Sequence, residues 1–127
     1  PMLKNSGITF VNLQYGVTDE EIGEFRDRFG VELHRWSDLD LRDDLDGAAA
    51  LTSCLDLVVS AATSVSCMAG ALGVPTLEFR PTPVADKFLV DGACPWFASL
   101  RYADKKATEP WSAVFRKIAK HLDAMTG

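Results

Sequence analysis

Leu55-Asp56-Leu57-Val58-Val59-Ser60-Ala61-Ala62-Thr63-Ser64-Val65-Ser66-Cys67-Met68-Ala69-Gly70-Ala71-Leu72-Gly73-Val74-Pro75 is the stretch that decides the fold. Leu55–Ser60 reads as a parallel strand covered on both faces, where apolar residues run on instead of alternating. A tight turn of small residues follows, and then Val65–Leu72, an apolar run of helix length. Gly73 stops that helix before Val74–Phe79, a further strand. The turn leaves Thr63 and Ser64 at the helix start. There the unpaired backbone N–H groups and the positive end of the helix dipole favour an anion such as a phosphate.

Upstream, Ile8–Leu13 reads as a strand that ends in Gln14-Tyr15-Gly16. Thr18 and Glu21 then have capping-box spacing, and Val17 and Ile22 that of a hydrophobic staple. Ile22, Phe25 and Phe29 make one apolar stripe, and Gly30 ends the helix. Val31–Trp36 is a second strand. The acidic stretch Ser37–Asp46 reads as a loop in which Asp43 or Asp44 caps a short helix carrying Ala48, Ala49, Leu51 and Thr52. These carboxylates are read as solvated caps, since nothing pairs them in the apolar setting that would perturb a catalytic acid.

Downstream, Pro81–Lys106 is a long connection broken by Pro83, Gly92 and Pro95. Its aromatic knot, Pro95-Trp96-Phe97, is expected to pack under the loop. Pro110 opens a closing helix whose buried face is Trp111, Val114, Phe115, Ile118 and Leu122, with Lys117, Lys120 and His121 toward its negative end.

Alternating strands and helices predict an α/β fold: a Rossmann-like parallel sheet of about four to five strands, flanked by helices on right-handed crossovers. In such sheets the ligand crevice lies beyond the carboxyl ends of the strands, where strand order reverses. Placing the first strand between the second and third sets Gln14-Tyr15-Gly16 beside Ala61-Ala62-Thr63-Ser64. That is a nucleotide-sized arrangement, in which Gln14 reads a base or phosphate edge.

The totals narrow the classes. The 127 residues suit one domain, 1–127, and a composition of 47% hydrophobic and 24% charged residues is globular. The net charge of −5 speaks against a phosphate-backbone partner, so no nucleic acid is expected. No run approaches the ~18 apolar residues of a membrane span, and no secretion signal opens the chain, which points to the cytoplasm. Pro1 ahead of Met2 suggests a piece of a longer protein. Cys54, Cys67 and Cys94 form no CxxC pair and share no ligand spacing with His34 or His121, so buried reduced thiols and no metal are expected. The chain has no GxxxxGK[ST], GxGxxG or GxSxG sequence. A phospho-acceptor aspartate and a phosphatase arginine are missing at their expected offsets. An anion-binding turn without a nucleophile or base fits a substrate-binding half better than a complete active site. No catalytic residue and no cofactor is assigned.

Several phrases together resemble the C-terminal half of GT-B glycosyltransferases, closest to bacterial tetratricopeptide-repeat proteins with a tail like heptosyltransferases and O-linked N-acetylglucosamine transferases. They are Phe10–Gly16, Leu55–Ser60, Ala69–Pro75, Pro95–Arg101 and the Trp111 helix, in the same order. The resemblance implies a domain that holds the nucleotide diphosphate of a UDP-, GDP- or ADP-linked sugar donor. Residues matching Thr63 and Ser64 meet the diphosphate, and the residue matching Gln14 lines the nucleotide pocket, with Tyr15, Gly16, Ala62 and Cys67 nearby. Transfer would need a missing N-terminal half, whose removal exposes apolar surface and favours self-association. Such relatives often read Ser-Val-Asp-Thr-Ser-Val-Ala-His where this chain has Ser60–Cys67, so Ala62 and Cys67 occupy the Asp and His positions. A degenerate domain serving as a noncatalytic interaction module is the alternative.

Overall fold

A computed structural model describes residues 7–81 and 94–127. The elements run β1 (Phe10–Val11), α1 (Asp19–Phe29), β2 (Leu33–His34), α2 (Leu45–Ser53), β3 (Val58–Ala61), α3 (Ser64–Ala71), β4 (Thr76–Pro81), β5 (Leu100–Lys105) and α4 (Trp111–Thr126). The ladders of the described residues are all parallel, which makes the α/β, Rossmann-like class plain. They build two sheets, β1–β2 and β3–β4–β5, where a single sheet with β1 beside β3 is the sequence expectation. The chain divides into two compact units, residues 1–48 with 119–127, and residues 49–118.

In the first unit, β1 and β2 are two-residue strands with Phe10 opposite Leu33 and Val11 opposite His34. The Asn12 N–H extends the pairing by donating to the His34 carbonyl at 2.8 Å. The capping box on α1 forms as the spacing predicts. The Glu21 N–H donates to the Thr18 hydroxyl at 3.2 Å, and the Thr18 N–H donates to the Glu21 carboxylate at 2.9 Å. Gly30 ends the helix at φ 64°, a left-handed conformation that suits glycine. The apolar stripe is shallower than expected, with Ile22 and Phe25 half-buried and Phe29 exposed. Asp44 is the cap of α2: its Oδ1 accepts the Gly47 N–H at 2.8 Å.

The second unit holds the deeper core. Val58, Ala69, Leu100 and Val114 are at most 3% exposed. Phe79 of β4 meets α4 edge-on, with ring centroids 6.0 Å from Trp111 and 5.2 Å from Phe115. The alternate residues of β4, Thr76, Glu78 and Arg80, are buried as well. Within α4, Val114 and Ile118 are buried and Leu122 half-buried, while Trp111 and Phe115 stay partly exposed. Lys117 reaches back to Glu109 at 2.6 Å instead of serving the helix end.

Several expectations are corrected. Leu100–Lys105 is a six-residue strand inside what reads as an irregular connection. Pro83 and Gly92 of that connection lie outside the described residues. Phe97 packs against α3, because a Cβ on Gly70 would come within 2.7 Å of its ring, but Trp96 is 75% exposed. Cys94 is buried, whereas Cys54 and Cys67 are exposed. The inward positions of α3 are Ser66, Ala69 and Gly70, which leaves Cys67 on the open face.

Candidate functional site

In the first unit, a half-open cleft of about 130 Å³ sits at the carboxyl ends of β1 and β2. The general rule for parallel sheets puts ligands there. Gln14, Tyr15 and Gly16, named from sequence, line it from β1, and Arg35, Trp36 and Asp40 line it from β2. Asn12 fixes the β1 turn by donating its side-chain amide to the Gln14 carbonyl at 2.7 Å and accepting the Gln14 N–H at 3.3 Å. Gly16 takes φ 76°, which leads the chain away to the α1 cap. Tyr15 and Trp36 are 59% and 49% exposed, so both rings are available to a ligand.

The charges of the cleft are organised by short-range bonds. Arg35 donates to the Val17 carbonyl at 2.6 Å and pairs with Asp19 at 3.3 Å. The guanidinium of Arg42 lies 5.9 Å from the Tyr15 ring centroid. Asp40 accepts the Arg42 and Asp43 amides at 2.9 and 3.1 Å, and these bonds hold its carboxyl below the usual aspartate range.

In the second unit, β3 delivers the chain into the turn expected to bind an anion. Ala62, Thr63 and Ser64 are exposed there, as is Cys67 one turn on. Thr63 precedes the helix in an extended conformation, at φ −141° and ψ 178°. Its amide is engaged, donating to the Ser66 hydroxyl at 3.3 Å, and the same hydroxyl donates to the Thr63 carbonyl at 2.8 Å. The Thr63 hydroxyl lies 3.3 Å from that of Ser60. Ser64 and Val65 open the helix, and the helical ladder itself offers their amides no acceptor. They are the donors left to an anion.

A third polar group spans β4 and β5. Arg80 and Asp104 face each other in register and form a two-pronged pair at 2.5 and 3.2 Å. The same guanidinium lies over the Tyr102 ring at 3.6 Å from its centroid. Asp104 raises the Arg80 pKa, so the cation is permanent. Burial and the hydrogen bond with Cys94 push the Tyr102 phenol up to about 12. Burial pushes the Cys94 thiol up, but hydrogen bonds with Tyr102 and the Trp96 and Phe97 amides outweigh it and leave the thiol below its ordinary value. With its charges paired internally, this cluster holds strands together.

Sequence reasoning thus finds the β1 side of the cleft and the α3 turn, and it misses Asn12, Arg35, Trp36 and Asp40. The strand-end rule applied to Val31–Trp36 points to Arg35 and Trp36, but not to Asp40 in the loop beyond. Among the described residues no helix is long and apolar enough to cross a membrane.

No protein-family model matches the chain, and no solved structure matches it significantly. The chain is similar to Protein FlbA of Caulobacter vibrioides (strain ATCC 19089 / CIP 103742 / CB 15), with 32% identity over 132 residues that cover 96% of this chain. It spans about a fifth of that protein, 20% of its length.

Proposed function

We propose that this chain is the domain of a glycosyltransferase-like protein that binds the nucleotide diphosphate of a sugar donor, with transfer requiring an N-terminal half outside it. The observation that carries this reading is the β3–turn–α3 unit, in which the Ser64 and Val65 amides head a helix behind an exposed Thr63-Ser64. Such a terminus stabilises negative charge, and in a complete enzyme it would stabilise the charge that develops on a leaving diphosphate. The cleft lined by Gln14, Tyr15 and Gly16 supports the reading from the other unit, because it lies where parallel sheets receive ligands. The chain by itself turns nothing over.

Calorimetric titration of the chain with UDP, GDP and ADP tests this. Saturable binding to at least one is expected. Thr63→Ala should weaken it roughly tenfold, the worth of one hydrogen bond to a charged group. Ser66→Ala, which releases the Thr63 amide, should preserve or improve it.

One observation favours the second reading, a noncatalytic interaction module. Ala62 and Cys67 offer a diphosphate no charge-assisted bond, and Ser66 already takes the Thr63 amide. Absence of binding to all three nucleotides by a chain with native circular dichroism would select it.

A further inference from the structure

We propose that α4 is a docking surface for a second copy of this chain, its outer, basic face meeting the acidic segment 38–46 of the other copy. The inference goes beyond the donor-binding reading and does not rest on it.

Charge is unevenly spread along the chain. Residues 19–46 hold eleven carboxylates against four arginines, a net charge of −7. Residues 101–121 hold six lysines and arginines against two acids, a net charge of +4. The total of −5 hides this split. Two poles of opposite sign on one chain give each copy a surface complementary to the next. At physiological salt the like net charge of two copies is screened beyond about 8 Å, while opposite charges in contact are screened less.

The basic pole is one side of one helix. Val114 and Ile118 turn the inner side of α4 into the core. Arg116 and Lys120, four positions apart, share the outer side with Lys117, and all three are exposed. Among the described residues Arg116 and Lys120 join no ion pair, and Lys117 keeps 60% of its side chain in water beside Glu109. Trp111 and Phe115 of the same helix are 37% and 40% exposed and add apolar area. The acidic pole has a matching composition. Asp38, Asp43 and Asp46 are exposed, and among the described residues none of them joins an ion pair. Asp40 and Asp44 accept backbone amides instead, which holds the segment in capped turns. Leu45, 62% exposed between them and Asp46, offers an apolar contact to the rings of α4. Each exposed charge pair contributes little alone, so the association is weak and belongs to high protein concentration.

The test is sedimentation equilibrium of the whole chain, run up to millimolar concentration at low and at high salt. Self-association is expected at about 50 mM NaCl, and it should weaken about tenfold at about 500 mM. A basic-pole variant, Arg116→Glu with Lys120→Glu, should be monomeric. An acidic-pole variant, Asp38→Lys with Asp43→Lys and Asp46→Lys, should be monomeric as well and leaves the capping Asp40 and Asp44 in place. Mixing the two variants should restore a one-to-one dimer, because each copy retains the pole that the other has lost. The neutral pair Arg116→Gln and Lys120→Gln should weaken association less than the reversal does, and it carries the test if the reversed helix does not fold. Three results would each overturn the proposal: a monomer at every concentration, association indifferent to salt, or a mixture of the two variants that stays monomeric. The second would trace self-association to exposed apolar surface instead of charge. Both sets of substitutions leave the α3 turn untouched, so nucleotide binding there is measured separately.

Discussion

The two units reach order by different routes. The first relies on short-range bonds: the Thr18–Glu21 box, the Asn12 clamp on Gln14, and the Asp40 and Asp44 caps. Its helix α1 buries no side chain, and its strands are two residues long. The second relies on burial, with Val58, Ala69, Leu100 and Val114 nearly closed to water beneath a three-stranded ladder. Bonds between neighbours in sequence form early but resist local opening weakly. Burial that joins distant segments raises the cost of any opening. The strand-end cleft lined by Gln14 and Trp36 is in the weakly held unit, and the stiff ladder is in the other.

The largest expected effect that would sharpen this contrast is Asp104→Ala. It leaves the nearly buried Arg80 guanidinium without its partner, and urea unfolding should show a loss of about 2–4 kcal/mol. A drop no larger than that of a surface pair would show that the ladder is not the stiffer part. Next comes Gly70→Ala, whose methyl would press on the Phe97 ring and should cost about 1–3 kcal/mol by the same measurement.

High pH offers a comparable effect without mutation. The Tyr102 phenol titrates near 12 in the folded chain, above its ordinary 10, so the native state favours the neutral form. Stability from this source is complete below pH 10 and is lost as pH rises toward 12, by about 3 kcal/mol at most. Tyr102→Phe should flatten that part of the curve, followed by the ultraviolet band of the phenolate and by circular dichroism. The smallest effect belongs to Thr18→Ala, at about 1 kcal/mol. Hydrogen exchange should show it as faster opening of α1 alone; equal acceleration in β4 would break the contrast.

The elements that could be read in advance are those whose signal is local. Thr18 and Glu21 announce their box by spacing, Gly30 and Gly73 end helices at φ 64° and 76°, and the Val114–Ile118 stripe follows helical periodicity. β5 could not be read this way. Leu-Arg-Tyr-Ala-Asp-Lys shows little apolar alternation because its inward Tyr102 and Asp104 are matched to Arg80, a residue distant in sequence. Polar residues in a strand look like a loop until the partner that satisfies them is in place. The cleft divides in the same manner. Gln14–Gly16 stands out beside its strand, but Asp40 looks like one solvated acid among several until β1 and β2 are paired. Cys67 reads as buried in the sequence but is exposed, because an apolar run does not say which side of a short helix is covered.

The Arg80–Asp104 pair carries a consequence for alignment. Sliding β5 by one position against β4 would turn Asp104 to the opposite side and strand a cation among apolar neighbours. The two-pronged fit therefore works as a keyed joint: aliphatic residues alone would tolerate several offsets, whereas this ladder admits only the alignment that matches Thr76 to Leu100 and Pro81 to Lys105.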